Sequence, residues 1–242
     1  MIKCVSFDFD ATLAHVKPQT HTLILNLLKE KGFHVSIEKF KQQCIELRRN
    51  IPSHLKDHYN RYGTLSREQR IAFLKEYNKA RIEMLQLDRN PTELEVLKNW
   101  LVNEIFIQQK KVLYDDVEEV VKRLADQGIK QYVLSGNHSD GIVEILQEAN
   151  LLQYFEEIIT VDKFSARKAD NFQVLLDLSN FSPEEILHIG DDINSDGFGP
   201  RNFGINSLII KRPEQLQYTQ IEDESFTNIE KLTDLFREVN FD

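Results

Sequence analysis

The chain opens on a short run of mostly β-branched and aromatic residues. Ile2 to Phe7 shows no helical spacing of apolar positions, and Asp8 and Asp10 follow it almost at once. A continuous apolar run of this length is typical of a strand buried on both faces of a parallel sheet. We therefore expect a central strand here, with two carboxylates at its C-terminal end.

The pattern then changes to a long helical block. Between residues 17 and 111 apolar residues recur at three- and four-residue spacing, which predicts amphipathic helices. Four helices are expected: Gly32 ends the first, Ser36 caps the second, Ser66 begins the third with a capping box, and Asn90 precedes a proline that begins the fourth. The stretch between the second and third helices has no clear pattern.

After residue 112 strands and helices alternate. The expected strands are Gln131–Leu134, Ile158–Val161, Ile186–Ile189 and Ser207–Ile210, and helices are expected at Ile193–Phe203 and, after a surface loop at residues 214–225, at residues 228–239. Strands joined through helices form parallel sheets with helices on both faces. The sequence thus predicts an α/β fold: a Rossmann-like sheet domain formed by residues 1–16 and 112–242, with a helical-bundle domain of residues 17–111 inserted into it.

Composition and charge narrow the class of protein. Apolar residues make up 41% and charged residues 29% of the 242 positions, which fits a globular chain and excludes collagen-like and low-complexity sequences. A formal charge of −9 leaves no broad basic surface for a nucleic-acid backbone, so we expect no nucleic-acid partner. Two cysteines do not predict a disulfide framework. No signal peptide or membrane span is visible, which favours a cytoplasmic protein without a membrane partner.

Acidic residues collect at the C-terminal ends of the expected strands. They are Asp8, Asp10, Asp191, Asp192 and Asp196. Ligands bind at this edge of a parallel sheet, and close carboxylates repel one another by roughly several kcal/mol unless they share a cation. Oxygen ligands completed by water and substrate favour Mg²⁺ as the cofactor. Lys168, just before an expected helix, adds positive charge at the same edge.

Four motifs, in order along the chain, resemble those of the haloacid dehalogenase-like hydrolases. They are a hydrophobic strand followed by Asp8-Phe9-Asp10-Ala11-Thr12, Ser135 after a strand, Lys168 before a helix, and Gly190-Asp191 with Asp196 after an apolar strand. The resemblance covers essentially the whole chain, and the helical insertion is similar to that family's C1 cap. The chain departs from the family pattern at Ala11, where glycine is usual, at Gly136, where asparagine is common and Asn137 follows, and at Ala169, where proline often stands.

The resemblance implies a two-step phosphoryl transfer. Asp8 would attack phosphorus to form an aspartyl-phosphate, and Asp10 would protonate the leaving oxygen and then activate water. The implied magnesium ligands are Asp8, the backbone carbonyl of Asp10, and Asp191, with Asp192 and Asp196 in support. The implied phosphate-binding residues are Thr12, Ser135, Gly136 and Lys168.

Asp10 also separates branches of that family. Dehalogenating and phosphonate-cleaving members resemble this chain but lack a carboxylate at this place, so its presence favours a phosphatase acting on a small phosphorylated metabolite. A phosphomutase using the same residues and a catalytically weak binding protein stay open as alternatives. Possible substrate contacts are His15, Arg48 and Arg49, although the two arginines also suit a helix C-terminus, where cations are favourable.

Overall fold

The computed structural model describes residues 1–213, 215 and 223–241. The chain divides into two compact units. The α/β unit contains Met1–His15, Lys111–Gln215 and the described residues after 222, and the helical unit contains Val16–Lys110. The predicted loop at residues 214–225 lies largely outside the described residues.

Six of the strands in the described part of the chain form one sheet. The strands are β1 (Cys4–Phe7), β2 (Ala14–Lys17), β3 (Lys110–Leu113), β4 (Lys130–Ser135), β5 (Glu157–Thr160), β6 (Ile186–Gly190), β7 (Asn206–Ile210) and β8 (Asn228–Ile229). The large sheet has the order β5-β4-β1-β6-β7-β8 with parallel pairing throughout, and β2 pairs with β3 separately. The predicted α/β class with a parallel sheet is confirmed, and β1 lies at its centre.

Helices cover both faces of the large sheet. The α-helices of the described residues are α1 (Thr20–Glu30), α2 (Ile37–Arg49), α3 (Ser53–Asn60), α4 (Arg67–Glu83), α5 (Pro91–Gln108), α6 (Val117–Asp126), α7 (Ser139–Glu148), α8 (Asn171–Ser179), α9 (Gly199–Arg201) and α10 (Leu235–Glu238). On one face Phe7 packs in a cluster with Leu124 of α6; on the other, Cys4 packs with Phe172 of α8. Full burial of a phenylalanine contributes roughly 1.5–3 kcal/mol, so β1 is held from both sides.

The helical unit contains five helices where four were predicted. The predicted starts are confirmed, because the side chains of Ser36, Ser66 and Asn90 each accept a hydrogen bond from the backbone three residues later. The additional helix, α3, lies in the stretch that had no clear pattern and buries only Leu55 among its eight residues. Its apolar face is too small to leave a periodic signal. None of the described helices combines the length and hydrophobicity that a bilayer crossing requires.

Two predicted helices of the α/β unit differ in the structure. The segment predicted as one helix from Ile193 to Phe203 forms a π-helical turn, Ile193–Phe198, followed by the short α9. The segment predicted as a helix over residues 228–239 begins as β8, because the backbone N–H groups of Ile209 and Lys211 donate to Thr227 and Ile229. Pairing with an open sheet edge outweighs local helix propensity here, and α10 is correspondingly short.

Candidate active site

Asp8 lies where β1 ends, at the centre of the sheet edge. Its backbone N–H donates to the carbonyl of Ile189, at 2.8 Å, which continues the β1–β6 pairing by one residue. The residue is only 6% exposed, and its Oδ1 lies 2.5 Å from Nζ of Lys168. The central strand therefore delivers one buried carboxylate, paired with one cation, to the edge where ligands bind in such sheets.

Lys168 bridges two carboxylates. It stands in a 3₁₀ turn, Lys168–Asp170, directly before α8, and its Nζ lies 2.5 Å from Oδ1 of both Asp8 and Asp196. Burial acts to lower the pKa of Lys168, but Asp196 and Asp8 outweigh it, so the pKa is raised and the ammonium stays charged. A Cβ added to Gly136 would lie 3.7 Å from the Cδ of Lys168, which places Gly136 along the stem of the lysine.

Asp196 is buried and fully engaged. Its Oδ1 contacts Lys168 and Nε2 of His188, and its Oδ2 accepts from the backbone N–H of Asp192, at 3.0 Å. A Cβ on Gly190 would lie 2.2 Å from the Cγ of Asp196, so the carboxylate fits only against a glycine. Burial acts to raise the pKa of Asp196, but Lys168 and His188 outweigh it and hold the pKa below its ordinary value.

Asp8, Asp191 and Asp196 form a carboxylate cluster able to hold a cation. One oxygen from each lies within 4.8 Å of the others. Burial, with neighbouring acids, raises the pKa of Asp8 from 3.8 to about 7 and raises that of Asp191 well above 3.8. Like charges this close repel one another unless a counter-charge lies between them. A hard divalent cation, which prefers oxygen ligands, fits these three carboxylates. Because Asp196 is already engaged, Asp8 and Asp191 are the side chains best placed as ligands.

Asp10 is held by two residues that the sequence did not single out as functional. Nζ of Lys111 lies 2.5 Å from its Oδ1, and the Nδ2 of Asn137 donates to its Oδ2. Lys111 belongs to β3, and Asn137 follows β4 after Gly136. Asn137 had one signal, its position beside the departure at Gly136; Lys111 had none, because β3 is too short to be recognised.

The remaining predicted phosphate-binding groups are buried. Ser135 is 1% exposed, and its Oγ accepts from the backbone N–H of Asn137 at 3.1 Å. Thr12 is fully buried, and its Oγ1 has no hydrogen-bond partner among the described residues. The carbonyl of Thr12 accepts from Nη2 of Arg212 at 2.8 Å. The backbone of Thr12 thus contacts Arg212, while Ser135 stands beside Asn137, which contacts Asp10, and Gly136, which lies along Lys168.

The side chains of the other predicted residues lie in different parts of the protein. The side chain of Asp192 caps the π-helical turn by accepting from the N–H groups of Asn194 and Ser195. His15 stacks on the ring of Tyr114, with centroids 4.4 Å apart. Arg48 and Arg49 are exposed in the last turn of α2, in the helical unit, so they do not belong to the same unit as the carboxylates.

Ala11 adopts the left-handed backbone conformation, with φ of +61°. Its N–H donates to the carbonyl of Ala14 at 2.7 Å, which closes the loop after Asp10. Only glycine visits this region without a steric cost from its side chain. The departure at Ala11 therefore leaves the loop conformation intact but strained.

His188 is a further buried polar residue of the site that the sequence analysis missed. It lies in β6 and contacts both Asp196 and Ser6. Its signal was a single ionisable side chain within the otherwise apolar run Ile186–Ile189. Such a residue must find hydrogen-bond partners inside the protein, and here it does.

Comparisons with known proteins agree on one family. A family model described as haloacid dehalogenase-like hydrolase matches residues 2–204. Pyrophosphatase PpaX of Listeria monocytogenes is 25% identical over 97% of this chain and 94% of its own. Phosphoglycolate phosphatase of Aliivibrio fischeri is 31% identical over 34% of this chain and 37% of its own. The structure of a HAD family hydrolase from Deinococcus radiodurans, with bound phosphate and sodium, covers 97% of this chain and 93% of its own with a TM-score of 0.61 and 14% identity, a likeness of fold.

Proposed function

The chain belongs to the haloacid dehalogenase-like hydrolases, and within that family we propose that it is a Mg²⁺-dependent phosphatase acting on small phosphate esters. One observation carries the proposal: a buried carboxylate at the end of the central strand, paired with Lys168, stands two residues before a second carboxylate held by its own lysine and amide. This is the pair that a two-step transfer needs, one group to bond phosphorus and one to move protons.

In the first step Asp8 attacks phosphorus. Its carboxylate oxygen forms the new P–O bond while the bond to the leaving oxygen breaks, and the product is an aspartyl-phosphate with the alcohol released. Lys168, whose Nζ already lies 2.5 Å from Asp8, stabilises the charge on the transferring phosphoryl oxygens. Ser135 and the backbone at Gly136, beside the Lys168 stem, and Thr12 are proposed as further phosphate-binding groups.

Asp10 moves the protons. It gives a proton to the leaving oxygen and then takes one from the water that hydrolyses the aspartyl-phosphate, so the enzyme returns to its starting state. Lys111 and Asn137 hold one carboxylate oxygen each, which fixes the orientation of the Asp10 side chain. Such fixing matters because proton transfer needs a defined geometry.

We propose Mg²⁺ as the cation, held by Asp8, the carbonyl of Asp10, and Asp191. When bound, the ion neutralises the phosphate charge that would otherwise repel Asp8. The supporting roles fall to Asp196, which holds Lys168, and Asp192, whose N–H donates to Asp196. The pKa of Asp8 near 7 supports this assignment. A bound cation would stabilise the ionised form of a carboxyl group that burial and neighbouring acids otherwise keep protonated.

The helical unit is proposed to act as the substrate-selecting cap, with residues 1–16 and 112–242 as the catalytic domain. His15, Arg48 and Arg49 are the candidate substrate contacts. Two named relatives suggest the first substrates to try, pyrophosphate and phosphoglycolate. Both are small and carry a second negative charge, which an arginine would recognise.

The decisive experiment measures phosphate release. The wild type is assayed with p-nitrophenyl phosphate, pyrophosphate, phosphoglycolate and a panel of sugar phosphates, with Mg²⁺ and with EDTA. We expect turnover that requires Mg²⁺ and that disappears in Asp8→Asn. Asp126→Asn, the same chemical change at an exposed position of the α/β unit, should leave turnover unchanged.

A well-folded wild type that releases no phosphate from any of these substrates would overturn the proposal. Transfer of the phosphoryl group to a sugar acceptor, without net release, would favour the phosphomutase instead.

A further inference from the structure

A buried polar pair lies behind the candidate active site. Ser6 of β1 and His188 of β6 are direct register partners, and both are 0% exposed. Side chains alternate along a strand, so they share a face with Cys4 and Ile186, two residues earlier in each strand, which belong to the apolar cluster around Phe172. The ring of His188 meets that of Phe172 edge-on, with centroids 4.9 Å apart.

The pair is linked by hydrogen bonds to Lys168. Oγ of Ser6 lies 2.8 Å from Nδ1 of His188, and Nε2 of His188 lies 3.1 Å from Oδ1 of Asp196. That same oxygen lies 2.5 Å from Nζ of Lys168. A continuous line of polar contacts therefore runs from the middle of the sheet to the ammonium that faces Asp8.

The direction of these hydrogen bonds follows from the groups themselves. An ionised carboxylate only accepts, so Nε2 of His188 must carry the proton that reaches Asp196. Burial lowers the pKa of His188, which leaves Nδ1 of the neutral ring as an acceptor. The hydroxyl of Ser6 is then the donor to Nδ1, and it fixes the tautomer that Asp196 requires.

We propose that His188 is a positioning residue, which holds the carboxylate of Asp196 through Nε2–H and thereby fixes Lys168 for phosphoryl transfer. Lys168 has a long, flexible side chain, and its ammonium is useful only if it stays at one point. Asp196 sets that point, because Gly190 leaves room for its carboxylate and the N–H of Asp192 holds its other oxygen. The histidine supplies the remaining restraint on Oδ1.

Three variants of His188 test the inference. They separate the position of the hydrogen-bond donor from the volume of the side chain. In His188→Gln the amide nitrogen lies about where Nε2 lies and still donates to Asp196, whereas the same amide in His188→Asn is one methylene too short. His188→Leu fills the space without a donor. Because hydrogen-bond partners that orient a site residue typically matter about 10- to 100-fold, we expect Asn and Leu to lose about that much kcat/KM and Gln to keep most of it.

The kinetic arm rests on the proposed function, so a second arm does not use turnover. Two-bond ¹⁵N–¹H correlation spectra of the ¹⁵N-labelled wild type report which ring nitrogen carries the proton, and the signals of His188 are identified by their loss in His188→Gln. A proton on Nε2 is expected. A proton on Nδ1 alone would overturn the inference, whatever the enzyme hydrolyses.

Each outcome of the kinetic experiment either supports or overturns the proposed role of His188. Rescue by Gln alone, with melting temperatures of the three variants alike, supports positioning. Equal activity in all three variants, or equal loss in all three that follows loss of stability, overturns it. A wild type without phosphatase activity would count against the proposed function only, and the tautomer would then decide the inference about His188.

Discussion

The methyl group of Ala11 strains the backbone of the loop after Asp10. With φ at +61°, the Cβ approaches the following carbonyl, which disfavours the left-handed region by roughly 1–2 kcal/mol for a residue other than glycine. Glycine would remove that cost and add back some backbone entropy in the unfolded chain. The loop conformation itself is already set by the Ala11–Ala14 hydrogen bond.

We therefore expect Ala11→Gly to raise the free energy of unfolding by about 0.5–1 kcal/mol, the part of the left-handed cost that exceeds the entropy lost. Urea denaturation of both proteins measures the difference. Ala72→Gly, at an exposed interior position of α4, is the matched control and should lower the unfolding free energy by about 1 kcal/mol. A decrease for Ala11→Gly of the same size as that control would show that the loop is not strained.

At the scale of elements, Arg212 joins segments that are far apart in sequence. It follows β7 and is only 5% exposed. Its guanidinium makes two contacts with Asp116, at 2.7 and 2.9 Å, donates to the carbonyl of Thr12, and lies 4.0 Å from the ring centroid of Tyr114. Asp116 also accepts from the backbone N–H of Leu232. One buried ion pair thus ties the loop after β1 to the start of α6 and to the C-terminal segment.

Breaking this pair should be costly. Arg212→Met leaves Asp116, whose side chain is 13% exposed, without its cationic partner, and we expect the free energy of unfolding to fall by about 3 kcal/mol. Adding Asp116→Asn should recover part of the loss, because the stranded charge is removed. Urea denaturation tests both, with Lys3→Met as the control: it breaks an exposed pair with Glu185 and should change stability by less than about 1 kcal/mol. An Arg212→Met effect as small as the control would contradict the argument.

The elements also show what the sequence could and could not predict. Alternating strands and helices predicted the parallel sheet, and strand ends predicted that Asp8, Asp191 and Lys168 would meet, because parallel strands share one C-terminal edge. The partners of Asp10 were not predictable in this way: Lys111 lies on a four-residue strand, and Asn137 is recognised only once Asp10 is placed. The register that pairs Ser6 with His188 is a property of the assembled sheet. β8 was missed because its pairing partner, not its own two residues, determines its conformation.

At the scale of the whole molecule, the carboxyl groups of the site make the stability of the fold depend on pH. Asp8 has a pKa of about 7 in the fold against an ordinary 3.8, so between those values the folded protein keeps a proton that the unfolded chain has lost. The sign follows: without metal, the contribution of this group to stability is complete below about pH 4, falls as pH rises, and is lost above about pH 7. The raised pKa of Asp191 acts in the same direction.

A cation bound by the ionised carboxylates should reverse that trend. We expect Mg²⁺ to raise the melting temperature little near pH 5.5 and increasingly up to about pH 8, since metal and proton compete for the same oxygens. For a chain of this size each kcal/mol corresponds to about 2–4 °C. Thermal melts with Mg²⁺ and with EDTA across this range measure the rise in melting temperature. In Asp8→Asn this rise should be smaller and should depend less on pH. A Mg²⁺ effect that is the same at every pH would mean that Asp8 is not a ligand.

The central position of β1 has a consequence for how the protein is made. Its neighbours in the sheet, β4 and β6, lie about 130 and 180 residues further along the chain. At a synthesis rate of roughly 5–20 residues per second, on the order of ten to forty seconds pass between the synthesis of β1 and that of its second partner, β6. During that time the apolar segment Cys4–Phe7, buried on both faces in the finished protein, is exposed on the growing chain. Asp8 therefore reaches its surroundings in the sheet only after β4 and β6 have been made, and we expect chaperones to bind the exposed apolar segment in the meantime.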